Sequence, residues 1–287
     1  MKIKIVTDSS VDLSKELIEK YNIDVMPFYV LMNDKDLLDT IEIKPEDIIE
    51  NYNINKTLPK TSAISIDRFA NKFKELTDEG YKVICFTIGS GISGTYNNAV
   101  VASRDFKGVE IIDGQSLSTG TALLVLYAAD LIEKGVEFQE IVSKVKNRVN
   151  SIQASFVIDK LTFLHKGGRC SSLALLGANL LQIKPCIELN GGKMAVARKY
   201  RGPLKRVCET YVKETLQKFN TPDLTRCFIT YSVISDEILN LVKQVLQENA
   251  NFNEILIAQA GATVTAHCGE NTIGILYLND GDKNGNF

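Results

Sequence analysis

Two short stretches concentrate hydroxyl groups where helix-like sequence begins. Residues 89–99 read GSGISGTYNNA and carry Ser90, Ser93, Thr95 and Tyr96; residues 58–65 read LPKTSAIS and carry Thr61, Ser62 and Ser65. A helix start exposes unpaired backbone N–H groups at the positive end of a dipole, and neutral hydroxyls beside it add further donors. That chemistry suits an anion, without naming which. Two such stretches suggest one shared ligand. The plainer reading is two independent helix caps, with Ser65 and Ser93 doing nothing more.

Two enzymatic alternatives compete for residues 89–99. GSGISG matches G-x-G-x-x-G, YKVICFTI before it is strand-like, and Asp113 lies 19 residues past Gly94 at the end of VEIID, as in an NAD-dependent oxidoreductase. The match follows roughly the third strand rather than the first βαβ unit, however, and Asp113 equally suits a turn or a cap. A nucleophile elbow, G-x-S-x-G, fits Gly91 to Thr95 except that Thr95 replaces the last glycine, which leaves a serine hydrolase using Ser93 and His267. No Lys stands where a phosphate-cradling P-loop needs one, so no ATP site is expected. A third class is a structural protein with capped helices and no ligand.

The elements that must position these residues alternate. Up to about residue 150, strand-like KIKIVTD, DVMPFYVLM, KVICFTI and VEIID are separated by helical SKELIEKY, DRFANKFKELTDEG, TYNNAVVASRDF and LSTGTALLVLYAADLIEKG. This predicts an α/β domain, 1–150, with a parallel sheet flanked by helices, whose TDSS and GSGISG loops project from the carboxyl ends of strands. Helical FQEIVSKVKNRVNS leads to a second domain, 151–287, with a mixed sheet and helices. Its strands are QASFVI, KPCIEL, KMAVARKY, TRCFITYSV, EILIAQAG and TIGILYL, and its longer helices PLKRVCETYVKETLQKF and SDEILNLVKQVLQEN. Gly191 and Gly192 predict a hairpin turn between KPCIEL and KMAVARKY.

Size and charge narrow the classes. A chain of 287 residues exceeds the usual single core, and 45% hydrophobic with 24% charged residues suits a globular protein. Thirty-three Lys and Arg against 35 Asp and Glu leave no basic surplus for nucleic acid. No signal-peptide core or membrane-length apolar run is present, so a cytoplasmic protein with at most transient membrane contact is expected. The six cysteines have no C-x-x-C pair and the two histidines are isolated, which favours reduced buried thiols over disulfides or a metal site.

Taken together, KIVTDSSVDL, TSAIS, GSGISGTYNNA, LHKGGRCS, LLQIKPCIELNGGKMAVARKYRG and AHCGENTIGI, in this order along nearly the whole chain, resemble the DegV family. The resemblance implies a bacterial fatty-acid-binding protein, the acyl-carrying subunit of a two-component fatty acid kinase, with no cofactor and no ATP site of its own. A dihydroxyacetone-kinase-like partner subunit would supply ATP and phosphorylate the bound carboxylate. It also implies that Thr61 and Ser93 hydrogen-bond that carboxylate, with Ser62 and the Gly94 backbone nearby and His267 opposite. Arg169, and more weakly Arg201, would contact the head group or dock the kinase, and the tail would lie between the two domains.

The sequence departs from the family pattern at two points. TSAIS stands where T-S-Q-P-S is common, and His267-Cys268-Gly269-Glu270-Asn271 where H-x-G-P-G is common, which is expected to bring the Glu270 charge close to the anion. Physics favours such a ligand: about 0.8 kcal/mol per buried methylene gives a tail of about fifteen carbons roughly 12 kcal/mol before ordering costs. Neutral donors orient the carboxylate without tying up both oxygens. Phe28, Phe163, Leu164, Leu175, Leu176, Leu180 and Ile183 are candidates for the apolar lining, and His165 is expected at the surface.

Overall fold

The computed structural model describes residues 2–171 and 183–281. Among them, β1 (Lys2–Asp8), β2 (Asp24–Met26), β6 (Tyr81–Thr87) and β7 (Val109–Asp113) form a four-stranded sheet in the order β2-β1-β6-β7, parallel throughout. Successive side chains of a strand point to opposite faces, so one run of apolar residues serves two layers. Val83 and Cys85 face α3 (Ile66–Asp78) and α4 (Thr95–Ser103), whereas Ile84 and Phe86 face α5 (Thr119–Glu133).

A six-stranded mixed sheet lies beyond α5. It is built from β8 (Ile152–Ile158), β9 (Lys184–Asn190), β10 (Lys193–Tyr200), β11 (Arg226–Tyr231), β12 (Glu254–Gln259) and β13 (Thr272–Leu278), in the order β10-β9-β8-β13-β11-β12. Only its β11–β12 pair is parallel. Ala154, Phe228 and Leu276 pack on α5, while Ile229, Ile273 and Tyr277 on the other face meet α8 (Leu204–Lys218) and α9 (Asp236–Asn249). Helix α5 thus lies between the two sheets, with 11 of its 15 residues buried. A helix apolar on all sides requires such a position.

The predicted strand DVMPFYVLM divides. Pro27 cannot donate to a ladder, so β2 ends at Met26 and β3 (Tyr29–Met32) joins a different, antiparallel sheet, β4-β3-β5, with β4 (Lys35–Leu38) and β5 (Lys60–Ser62). Between β4 and β5 runs α2 (Pro45–Asn55), started by Pro45 in the first helical position. The β9–β10 hairpin forms at Gly191 and Gly192, both with positive φ (54° and 75°), as its two-residue turn demands. All six cysteines are buried. Among the described residues no helix is long and apolar enough to cross a membrane.

Candidate functional site

A cavity of about 230 Å³ opens where the three sheets approach one another. Strand β5 brings Thr61 and Ser62 to its rim, and the loop into α4 brings Ser93 and Gly94. The two hydroxyl-rich stretches are adjacent because the Asn98 amide, on α4, donates to the Ile64 carbonyl at 2.8 Å. The short α10 (Ala262–Cys268) contributes His267, and Arg169 follows α7 (Thr162–Gly167). Five residues expected at a ligand head group, Thr61, Ser62, Ser93, Gly94 and His267, therefore border one space, together with Arg169. Arg201 is exposed beyond the end of β10 and is not among the described residues lining it.

His267 and Thr61 are joined, Nε2 to Oγ1, at 2.9 Å. Burial, with a smaller contribution from the Arg169 charge, lowers the His267 pKa to about 4. The ring is therefore neutral at pH 7. Its Nδ1 is buried without a partner among the described residues. Gly167 leaves room for that edge, since a Cβ there would lie 2.6 Å from Nδ1. Arg169 is exposed and tethered to the same turn, Nη1 donating to the Gly167 carbonyl at 2.6 Å.

Ser93 does take part in starting α4: its Oγ accepts from the Thr95 amide at 3.3 Å and lies 2.9 Å from Thr95 Oγ1. Ser65 caps α3 by accepting from the Arg68 amide at 3.4 Å. Capping thus explains Ser65 fully and Ser93 in part, because Ser93 alone of the two also borders the cavity.

Two of the three glycines of GSGISG, Gly89 and Gly91, have structural reasons. A Cβ on Gly91 would lie 2.5 Å from the Gly192 carbonyl at the β9–β10 turn, and one on Gly89 would lie 3.1 Å from the Ser116 amide. Asp113 ends β7 and holds the loops beside it, accepting from the Ser90 amide at 3.0 Å, the Ser90 hydroxyl at 2.6 Å and the Gln115 amide at 3.0 Å. Neither feature asks for a dinucleotide. The hydrolase alternative also lacks its geometry, since the His267 Nε2 that would activate Ser93 is paired with Thr61 instead.

Inside the rim the lining is largely apolar. Phe28 and Leu164 take part as expected, with Ile88, Leu117, Phe156 and Leu276. Phe163 turns away to pack on Tyr52, ring centroids 4.8 Å apart, and Ile183 is buried behind Leu164; neither lines the cavity. Leu175, Leu176 and Leu180 lie outside the described residues. Met194, Thr230, Ser232 and Val264 line it without having been expected. Of these, Met194 was legible as the buried alternate position of β10. Of the two departures from the family pattern, Ala63 borders the cavity, whereas Glu270 pairs with Lys160 at 2.7 Å and does not line it. His165 is exposed, as expected.

A family model described as "Uncharacterised protein, DegV family" matches residues 2–280. A DegV domain-containing protein of Clostridium perfringens is 34% identical over 283 residues, covering 97% of this chain and 99% of the relative. Among solved structures, a DegV family protein from Thermus thermophilus, described for its fatty acid binding, superimposes with a TM-score of 0.90 at 29% identity, over 97% of this chain and 99% of that one. A stearic-acid-binding protein from Eubacterium ventriosum gives a TM-score of 0.85 at 26% identity, over 96% and 98%.

Proposed function

Because the chain belongs to the DegV family, we propose that it binds a long-chain fatty acid and presents the carboxylate to a separate kinase subunit, which phosphorylates it. The observation that carries this reading is the Thr61–His267 pair on the rim of an apolar cavity. A neutral imidazole with its proton on Nε2 donates to Thr61 Oγ1, and the Thr61 hydroxyl proton is then free for the ligand. The opposite tautomer would turn the Thr61 proton toward the ring, leave only lone pairs for an anion, and strand a buried N–H at Nδ1.

Ser93 is used in the same way: the Thr95 hydroxyl donates to its Oγ, and the Ser93 proton is offered to the second carboxylate oxygen. Ser62 and the Gly94 backbone border the same space, and the α4 N-terminus adds its dipole. The tail lies among Phe28, Leu117, Phe156 and Leu276, between the 1–150 and 151–287 portions of the chain.

Held by uncharged donors, a carboxylate oxygen keeps a lone pair for the γ-phosphorus of ATP. The new O–P bond forms as the bond to the departing ADP breaks. The ATP comes from a dihydroxyacetone-kinase-like partner in the cytoplasm, which the exposed Arg169 and Arg201 contact. To test this, the purified protein is denatured, extracted into organic solvent and analysed by mass spectrometry. A long-chain fatty acid in roughly one-to-one amount is expected, followed by acyl phosphate when kinase and ATP are supplied. An empty extract, with no uptake of oleate or palmitate, overturns the reading.

A further inference from the structure

Helix α10 is only seven residues long, too short to hold its own orientation, and its N-cap, Gly261, has no side chain with which to cap it. Its first amides are instead met by carboxylates from distant parts of the chain. Gly261 N–H donates to Asp12 Oδ1 at 2.8 Å and Ala262 N–H to Asp39 Oδ1 at 2.9 Å. Asp12 does not line the cavity, yet its other oxygen accepts from the hydroxyl of Ser118, which does. Both residues sit in backbone conformations that non-glycine residues rarely adopt, Asp12 at φ 53°, ψ 34° and Ser118 at φ 52°, ψ −140°. Such conformations persist only where the surroundings over-determine them, and they gather at functional sites.

We propose that Asp12 is a positioning residue for head-group recognition: by anchoring both Gly261 and Ser118 it sets the rotation of α10 that brings His267 onto Thr61. In an α-helix each residue turns the chain by about 100°, so the phase fixed at Gly261 decides where His267, six residues on, points. One slipped residue at the start would carry the imidazole off the rim. Asp39 assists from the next amide and is itself held by Ser9, whose hydroxyl donates to Asp39 Oδ2 at 2.8 Å while accepting from the Phe28 amide at 3.1 Å. The anchoring therefore reaches a third wall of the cavity through Phe28.

The proposal rests on the head-group reading above, and its test separates the two. Affinities for oleate and for oleyl alcohol, which has the same tail without the carboxylate, are measured on wild type, Asp12→Ala, Asp12→Asn and Asp12→Glu. In parallel, the His267 ring nitrogens are observed by NMR in ligand-free protein. Asp12→Ala is expected to weaken oleate by about tenfold or more and the alcohol by no more than about threefold, and to shift the Nε2 resonance. Asp12→Asn keeps an acceptor for Gly261 and should restore both the preference and the resonance.

Should Asp12→Ala fail to fold, Asp12→Glu decides, because it keeps the charge but moves the acceptor by one methylene; loss of the acid preference is expected there too. Wild-type discrimination that survives in Asp12→Ala or, where that variant is unfolded, in Asp12→Glu, with the His267 resonance unmoved, overturns the positioning role. Equal binding of acid and alcohol by wild type overturns the head-group reading instead. The ring resonance then still reports whether Asp12 positions His267.

Discussion

Thr61 Oγ1 and His267 Nε2 meet at 2.9 Å although 206 positions separate them in the chain. A hydrogen bond to a charged group contributes about 1.5–3 kcal/mol, so Thr61→Val, which keeps the shape and removes the hydroxyl, should weaken fatty acid binding about tenfold to a hundredfold. Titration calorimetry with palmitate measures this. An affinity unchanged within error would move the carboxylate elsewhere on the rim.

The same pair has a pH signature. His267 has its pKa lowered from 6.5 to about 4 by burial, so the neutral ring contributes stability that is complete above pH 6.5 and lost as pH falls through 4. The size is about 3 kcal/mol. Asp8 acts in the opposite sense: burial raises its pKa from 3.8 to about 6, so its contribution is complete below 3.8 and lost as pH rises through 6. Burial raises Asp12 and Asp39 as well. In His267→Asn only the acids' slope remains. Urea unfolding at pH 4, 5 and 6 should show that variant losing stability with rising pH more steeply than wild type. Parallel slopes would mean that the ring is not buried neutral.

Gly91 tests the contact between the hydroxyl loop and the β9–β10 hairpin. Its Cβ would lie 2.5 Å from the Gly192 carbonyl, a backbone atom unable to swing aside. Gly91→Ala should cost about 1–3 kcal/mol, lowering Tm by roughly 2–10 °C in calorimetry, with weaker ligand binding as Ser93 shifts. A dinucleotide site would instead predict lost cofactor binding and an unchanged Tm.

Tail length gives a fourth test. If the apolar lining receives the alkyl chain, each added methylene contributes about 0.8 kcal/mol, close to fourfold in affinity, until the cavity is filled. A competition series from decanoate to stearate should rise at about that slope and then level off. A flat series would place the tail in solvent.

Much of the architecture was legible in the sequence. The runs KIKIVTD, KVICFTI and VEIID became neighbours in one parallel sheet, and Asn190-Gly-Gly-Lys193 became a hairpin, because β-branched runs and paired glycines admit few other conformations. Helix α10 was not legible. GATVTAHCG has β-branched residues, little periodicity and a glycine where a capping side chain would be, and its anchors, Asp12 and Asp39, lie 249 and 223 positions away. The two hydroxyl clusters were readable as donors because residue type carries that information. Their sharing of one ligand was suggested by their common type and by the family resemblance, but no local pattern encodes the Asn98–Ile64 bond that links them. Thr230 lines the cavity through β11–β13 pairing, and Ser232 through its amide donating to the Thr272 carbonyl, contacts that no local pattern encodes.

Helix α5, with Ile5 and Phe86 against one side and Phe228 and Leu276 against the other, has a consequence for how a long guest enters. Prising the two large sheets apart like scissor blades would strip this helix of its neighbours and wet a whole apolar layer. A guest bound in the cavity is therefore expected to enter through its rim, with the two sheets and the helix between them left in place.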